Sequence, residues 1–197
     1  MPKEDKQKEY QCRNSEDFVN FFKRKELKPQ YETAYYDISE DTINNKDAYT
    51  IIEPVWWEVN IYEGEDIYKK DLEKFTTEQR YIFAIEWYMA EVNNGGHDQF
   101  YFNSTGIVWE DAMRGFKAVG LQNNYELIKE SADRLNGNPS KDQNKRQEQL
   151  DKYCPDFNDL DVKFYDSEKD IETALLKYIR ENKEKFVYKG TLRKPKF

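Results

Sequence analysis

The side chains best placed for chemistry in this 197-residue chain lie in one stretch, EWYMAEVNNGGHDQFYFNSTG, residues 86–106. It holds Glu86, Glu91, His97, Asp98 and Ser104, and His97 is the chain's single histidine. A histidine and an acid beside a serine have the composition of a hydrolase triad, but adjacent residues on a helix point apart and no G-x-S-x-G elbow is present. Glu86, Glu91, His97 and Asp98 also have metal-ligand chemistry. One histidine excludes the usual His-rich and Cys-rich zinc sets, and neither H-E-x-x-H nor EF-hand spacing occurs. A carboxylate-only Mg²⁺ or Ca²⁺ site stays open; otherwise Glu86 and Glu91 are expected to pair with Arg80 or Arg114, or to cap backbone groups. NNGG ends a helix, whereas phosphate loops begin one. No catalytic residue, metal ligand or cofactor is therefore assigned.

The amides and glycines of the same stretch are Asn93, Asn94, Gly95, Gly96, Gln99, Asn103, Ser104 and Gly106. They could line a polar pocket. The favoured alternative is structural, with amides satisfying orphan backbone groups at tight turns between packed helices.

The elements that must position these residues read as helices. Only 38% of residues are hydrophobic but 16% are aromatic, so large rings must build the core. A mean hydropathy of -1.07 with this aromatic content describes a soluble folded chain rather than a disordered one. No run approaches the ~20 apolar residues of a bilayer span, and the N-terminus has no apolar signal core. Cys12 and Cys154 are far apart, which predicts reduced thiols and a cytoplasmic setting.

Thr76 or Thr77 is expected to cap a main helix from Glu78 to Val92. Ile82, Ile85, Met89 and Val92 form its stripe, and Asn93–Gly96 stop it. Further helices are predicted at Ser15 to Pro29, 51–64 with Pro54 in the first turn, Glu65–Phe75, Val108–Val119, Asn123–Leu135 and Lys141–Tyr153. A last one runs from a Ser167 cap to about Phe186. Tyr31–Tyr49 shows no period and reads as an irregular acidic arm. The expected fold is all-α: a single compact domain of about seven or eight helices around one long buried central helix. The divisions are 1–49, an extension with one short helix and the acidic arm; 50–188, the helical domain; and 189–197, a basic tail.

Net charge is -8, unevenly spread. Residues 31–190 hold 33 acidic against 20 basic residues, and 31–66 hold 10 acidic residues with Lys46 the sole base. Such a surface argues against direct nucleic-acid binding and favours a basic protein partner. Asp37, Glu40, Asp41, Asp47, Glu53, Glu58, Glu63, Glu65 and Asp66 are the candidate acidic interaction surface. No membrane contact is expected, and oligomeric state is left open, a dimer included.

Glu91-Val92-Asn93-Asn94-Gly95-Gly96, followed after His97-Asp98 by Gln99-Phe100-Tyr101-Phe102 and Asn103-Ser104-Thr105-Gly106, resembles a bacterial family of domain-of-unknown-function proteins that includes DNA-mimic protein nineteen. VWWEVNIYEG, AMRGFKAVGL, KRQEQLDKY and DVKFY extend the likeness over about 50–188. The resemblance implies an all-α, non-enzymatic protein whose carboxylates imitate duplex phosphates and occupy the DNA-binding face of a transcriptional regulator. Its central motif, Glu91, Asn93, Asn94, Gly95, Gly96, Gln99, Phe100, Asn103, Ser104 and Gly106, is mostly apolar and amide-bearing, so it is expected to define the fold. An immunity-type protein neutralising a toxin and a metal-dependent enzyme with a carboxylate site are the alternatives.

Overall fold

The computed structural model describes residues 30–196. A strand, β1 (Tyr31–Ile38), leads into helices α1 (Glu40–Asn45), α2 (Ala48–Glu58), α3 (Glu65–Leu72) and α4 (Thr77–Phe102). A short 3₁₀ turn at Ser104–Val108 precedes α5 (Trp109–Ala118), α6 (Gln122–Asp133), α7 (Gln143–Tyr153), α8 (Asn158–Glu181) and a closing strand, β2 (Tyr188–Pro195). The helical domain around one long central helix is as expected, with eight α-helices among the described residues. The helix expected at Ser15 to Pro29 lies outside the described residues.

Thr76 starts α4 with a capping box. Its hydroxyl accepts from Gln79 N–H, while the Gln79 side chain accepts from Thr76 N–H. Glu78 adds a carboxylate to the first turn, where the positive helix end favours it. Ile82, Phe83, Ile85, Tyr88 and Val92 are all buried to 0% exposure, so α4 is apolar over much of its circumference. It packs against α2, α5, α7 and α8. Tyr88 is the hub, meeting Phe100, Phe116 and Phe164 edge-on at 5.0, 5.4 and 5.4 Å. Each such pair adds ~0.5–1.5 kcal/mol beyond area burial.

Several expectations change. The arm over 31–49 is regular structure: β1 pairs antiparallel with β2 from Tyr31↔Pro195 to Ile38↔Tyr188, and Ser39 and Asp47 cap α1 and α2. The residues assigned to a basic tail supply β2, and Tyr36, Ile38 and Leu192 bury the ribbon's inner face. Ser167 is no cap, because α8 runs through it. Its hydroxyl donates to Phe164 O at 2.9 Å and accepts from Asn124 Nδ2 at 2.9 Å. Pro54 likewise sits inside α2 rather than in its first turn. Cys12, and with it the expectation of reduced thiols, lies outside the described residues.

Candidate functional site

The motif residues converge on a break in α4. Gly95 (φ -162, ψ 26) and Gly96 (φ 73, ψ -176) leave helical geometry, so α4 is two helices joined at a bend. The bend falls where the double glycine predicted a stop. At Gly96 an added Cβ would sit inside the Asp161 carboxylate of α8, on top of the strain of a positive φ.

That carboxylate explains His97. Asp161 Oδ1 accepts from His97 N–H at 2.9 Å and lies 2.5 Å from Nδ1, while Nε2 is 2.5 Å from the Tyr88 hydroxyl. Burial raises the Tyr88 pKa well above its usual value, so the phenol keeps its proton. Nδ1–H donating to Asp161 and Tyr88 O–H donating to Nε2 is then the arrangement that leaves no proton without an acceptor. The backbone bond also places an anion on the N-terminus of the second half of α4, where the dipole favours it. His97 and Tyr88 are fully buried, and Asp161, its side chain 19% exposed, is the member of the chain of bonds that reaches the surface. The acid beside His97 is Asp161, 64 residues away, rather than the adjacent Asp98.

The amides close the same junction. Glu91 Oε2 accepts from Gln99 Nε2 at 2.8 Å and from Asn103 Nδ2 at 2.9 Å, clasping the two halves of α4 across the bend. Asn93 Nδ2 donates to Glu168 at 2.7 Å, and Tyr165 O–H donates to Val92 O at 3.0 Å, so α8 holds the end of the first half. Asn94 is exposed and Phe100 fully buried. Ser104 lines an open groove of about 330 Å³ with Tyr62, Gly64 and Lys141. Glu91 thus serves amides rather than Arg80 or Arg114, which contact Phe75 O and Glu110.

The C-terminal end of α4 is satisfied by a residue that sequence inspection passed over. Arg146, fully buried on α7, donates to Tyr101 O, Asn103 O and Ser140 O, each at 2.6 Å. Gln143 and Gln147 both donate to Phe102 O, at 3.1 and 2.9 Å. Three orphan carbonyls of a helix end therefore find partners on one neighbouring helix. Burial lowers the Arg146 pKa to about 10, still protonated at neutral pH. Gly106 is small because an added Cβ would meet the Arg146 guanidinium and, at 2.8 Å, Phe100 O. The signal lay in KRQEQLDKY, where a polar helix carried one inward-facing cation.

The acidic candidates are spread over β1, α1, α2, the approach to α3 and its first turn, and five of the nine are partnered by cations. Asp37 pairs with Lys189, Glu40 with Lys183, Glu53 with Lys194, Glu58 with Lys74 and Glu65 with Lys69. Asp47 caps α2 and Asp41 accepts from Asn45. Glu63 and Asp66 are exposed and in no ion pair among the described residues. Missed from sequence were Glu148, Asp151 and Asp156 around the end of α7, and Asp166, Glu168 and Asp170 on α8. All six are exposed and in no ion pair among the described residues. No group of three or more His, Cys, Asp or Glu residues among the described ones could hold a metal ion.

A family model for DMP19-like proteins matches residues 73–182, the span from the approach to α4 to the end of α8. The chain belongs to the DMP19-like protein family. The match contains every motif residue from Glu91 to Gly106, together with Arg146 and Asp161, and leaves VWWEVNIYEG outside. The bend in α4, its amide clasp and the Arg146 clamp thus all lie inside the span that defines this family. No curated protein and no solved structure matches the chain.

Proposed function

We propose that this DMP19-like protein is a non-enzymatic, acidic protein-binding module that occupies the DNA-binding face of a basic partner such as a transcriptional regulator. The observation that carries this reading is the set of exposed carboxylates on and around α7 and α8 that no cation partners. Asp166 and Asp170 stand one helical turn apart, ~6 Å along the axis. Glu148 and Asp151 share a face of α7 at i, i+3. Residues 39–187 hold 31 acidic against 19 basic residues, a field that attracts a cationic surface. The occupied state of His97 and the amide clasp support the non-enzymatic part, since both satisfy themselves internally.

The test is capture of a DNA-binding partner on immobilised protein. Retention is expected to fall steeply between about 50 and 200 mM salt and to be competed by duplex DNA, as for a site that reads phosphates. Retention indifferent to both salt and duplex would overturn the reading.

A further inference from the structure

Two buried side-chain atoms among the described residues have no hydrogen-bond partner, and they are neighbours in sequence: Glu86 Oε1 and Trp87 Nε1. Both project from α4 on the side facing α2 and α8. An unsatisfied buried polar atom costs ~1–3 kcal/mol, and two together mark a place where a partner group is missing. The surroundings specify that group. Trp87 stacks on Trp56 of α2 with ring centroids 3.9 Å apart and planes 13° from parallel, and Tyr49, 38% exposed, meets Trp56 edge-on at 5.2 Å. The charges acting on Glu86 are those of Glu172 on α8 and Asp47 at the start of α2. Both also serve as acceptors for the first N–H groups of α2, Glu172 from Ala48 and Asp47 from Thr50. None of these three carboxyl groups is in an ion pair among the described residues. They also do not converge on a point close enough for a metal ion.

We propose that α2, α4 and α8 frame a site for an arginine side chain of a protein partner, with Glu86 receiving the guanidinium and the Trp56–Trp87 pair forming its aromatic wall. The site rests on the reading of this chain as a binder of basic proteins. A guanidinium supplies the donors that Glu86 Oε1 lacks and stacks flat on indole, which a metal ion or an ammonium group does not. The backbone carbonyl of the same peptide supplies the acceptor that Trp87 Nε1–H lacks. Burial, reinforced by Glu172 and Asp47, pushes the Glu86 pKa up to about 8, so the empty site holds a proton that an arriving cation displaces.

The probe is N-acetyl-arginine methylamide, followed through the indole N–H resonance of Trp87, which is assigned by its loss in Trp87→Phe. A saturable shift is expected with the arginine probe and none with N-acetyl-norleucine methylamide. Affinity should weaken at least tenfold in Glu86→Gln, and likewise in Trp56→Leu, which strips the wall and keeps the carboxyl. No saturable shift, an equal shift with norleucine, or unchanged affinity in Glu86→Gln overturns the site. If the site fails while a captured partner is still displaced by duplex DNA, the proposed function stands and only the arginine pocket falls.

Discussion

Gly96 is constrained twice, by a φ of 73 and by the Asp161 carboxylate that occupies the space of a side chain. Gly96→Ala is expected to destabilise the fold by roughly 3 kcal/mol: ~1–2 for the left-handed conformation and the rest for displacing Asp161 from His97. Chemical denaturation measures it, and a loss below about 1 kcal/mol would contradict the geometry. Glu86 makes a prediction of opposite sign. Its folded pKa of about 8 lies above the usual glutamate value of 4.5, so the proton is held more tightly in the folded state. The stability this lends is fully present below about 4.5 and is lost as pH rises towards 8. Each pKa unit is worth ~1.4 kcal/mol, so the loss is on the order of a few kcal/mol. Glu86→Gln should flatten that part of the pH–stability curve and melt higher than the parent at pH 9. At this scale little was legible in the sequence. The double glycine predicted a stop where the helix instead bends and continues, and the identity of the acid beside His97 depended on a helix 64 residues away.

At the scale of elements, periodicity placed most of the helices, because buried apolar residues recur at helical spacing: Ile82, Ile85 and Val92 in α4, Trp109, Ala112 and Phe116 in α5, and Leu127, Ile128 and Ala132 in α6. It failed where the deciding contact was distant. β1 reads YETAYYDI, with Tyr36 and Ile38 inward, an alternation too short to stand out before its partner 150 residues later is known. Ser167 looked like a cap because serine often is one. Inside α8 its hydroxyl instead donates back to Phe164 O, which leaves the helix unbroken. Arg146 was hidden for the same reason, since its partners are the carbonyls of another helix. Arg146→Met keeps much of the volume and removes the donors to three carbonyls. It is expected to cost at least ~3 kcal/mol, because each carbonyl loses a charged donor, with Asn103 O keeping its bond from Gly106 N–H. Amide exchange should accelerate first in residues 101–108, at the end of α4 and the turn behind it. Exchange spread evenly over the helices would show that the clamp is not local.

For the whole molecule, the balance of charge matters more than any one carboxylate. Five candidate acidic residues are neutralised by lysines, which moves the unpaired charge towards α7 and α8. Sequence counting could find the excess but could not say which carboxylates stay free. Reversing Asp166, Glu168 and Asp170 to lysine should weaken capture of a basic partner by tenfold or more at low salt. Asp166 and Asp170 are exposed and make no ion pair among the described residues, so reversing these two alone should move the melting temperature by only a few degrees, whereas reversing Glu168 also removes its bond to Asn93. Equal loss from reversing Glu58 and Glu65, which already have lysine partners, would relocate the binding face to α2 and α3.

The β1–β2 ribbon carries a mechanical consequence. Tyr31 lies opposite Pro195, and Lys196 N–H donates to Gln30 O at 2.7 Å, so the two ends of the described chain leave from the same end of the ribbon. A load applied between those ends would open the ribbon like a zip, one rung at a time, instead of shearing all its bonds together. Tethered by both ends, this protein should yield first at its seam, at low force, with the helical body still intact behind it.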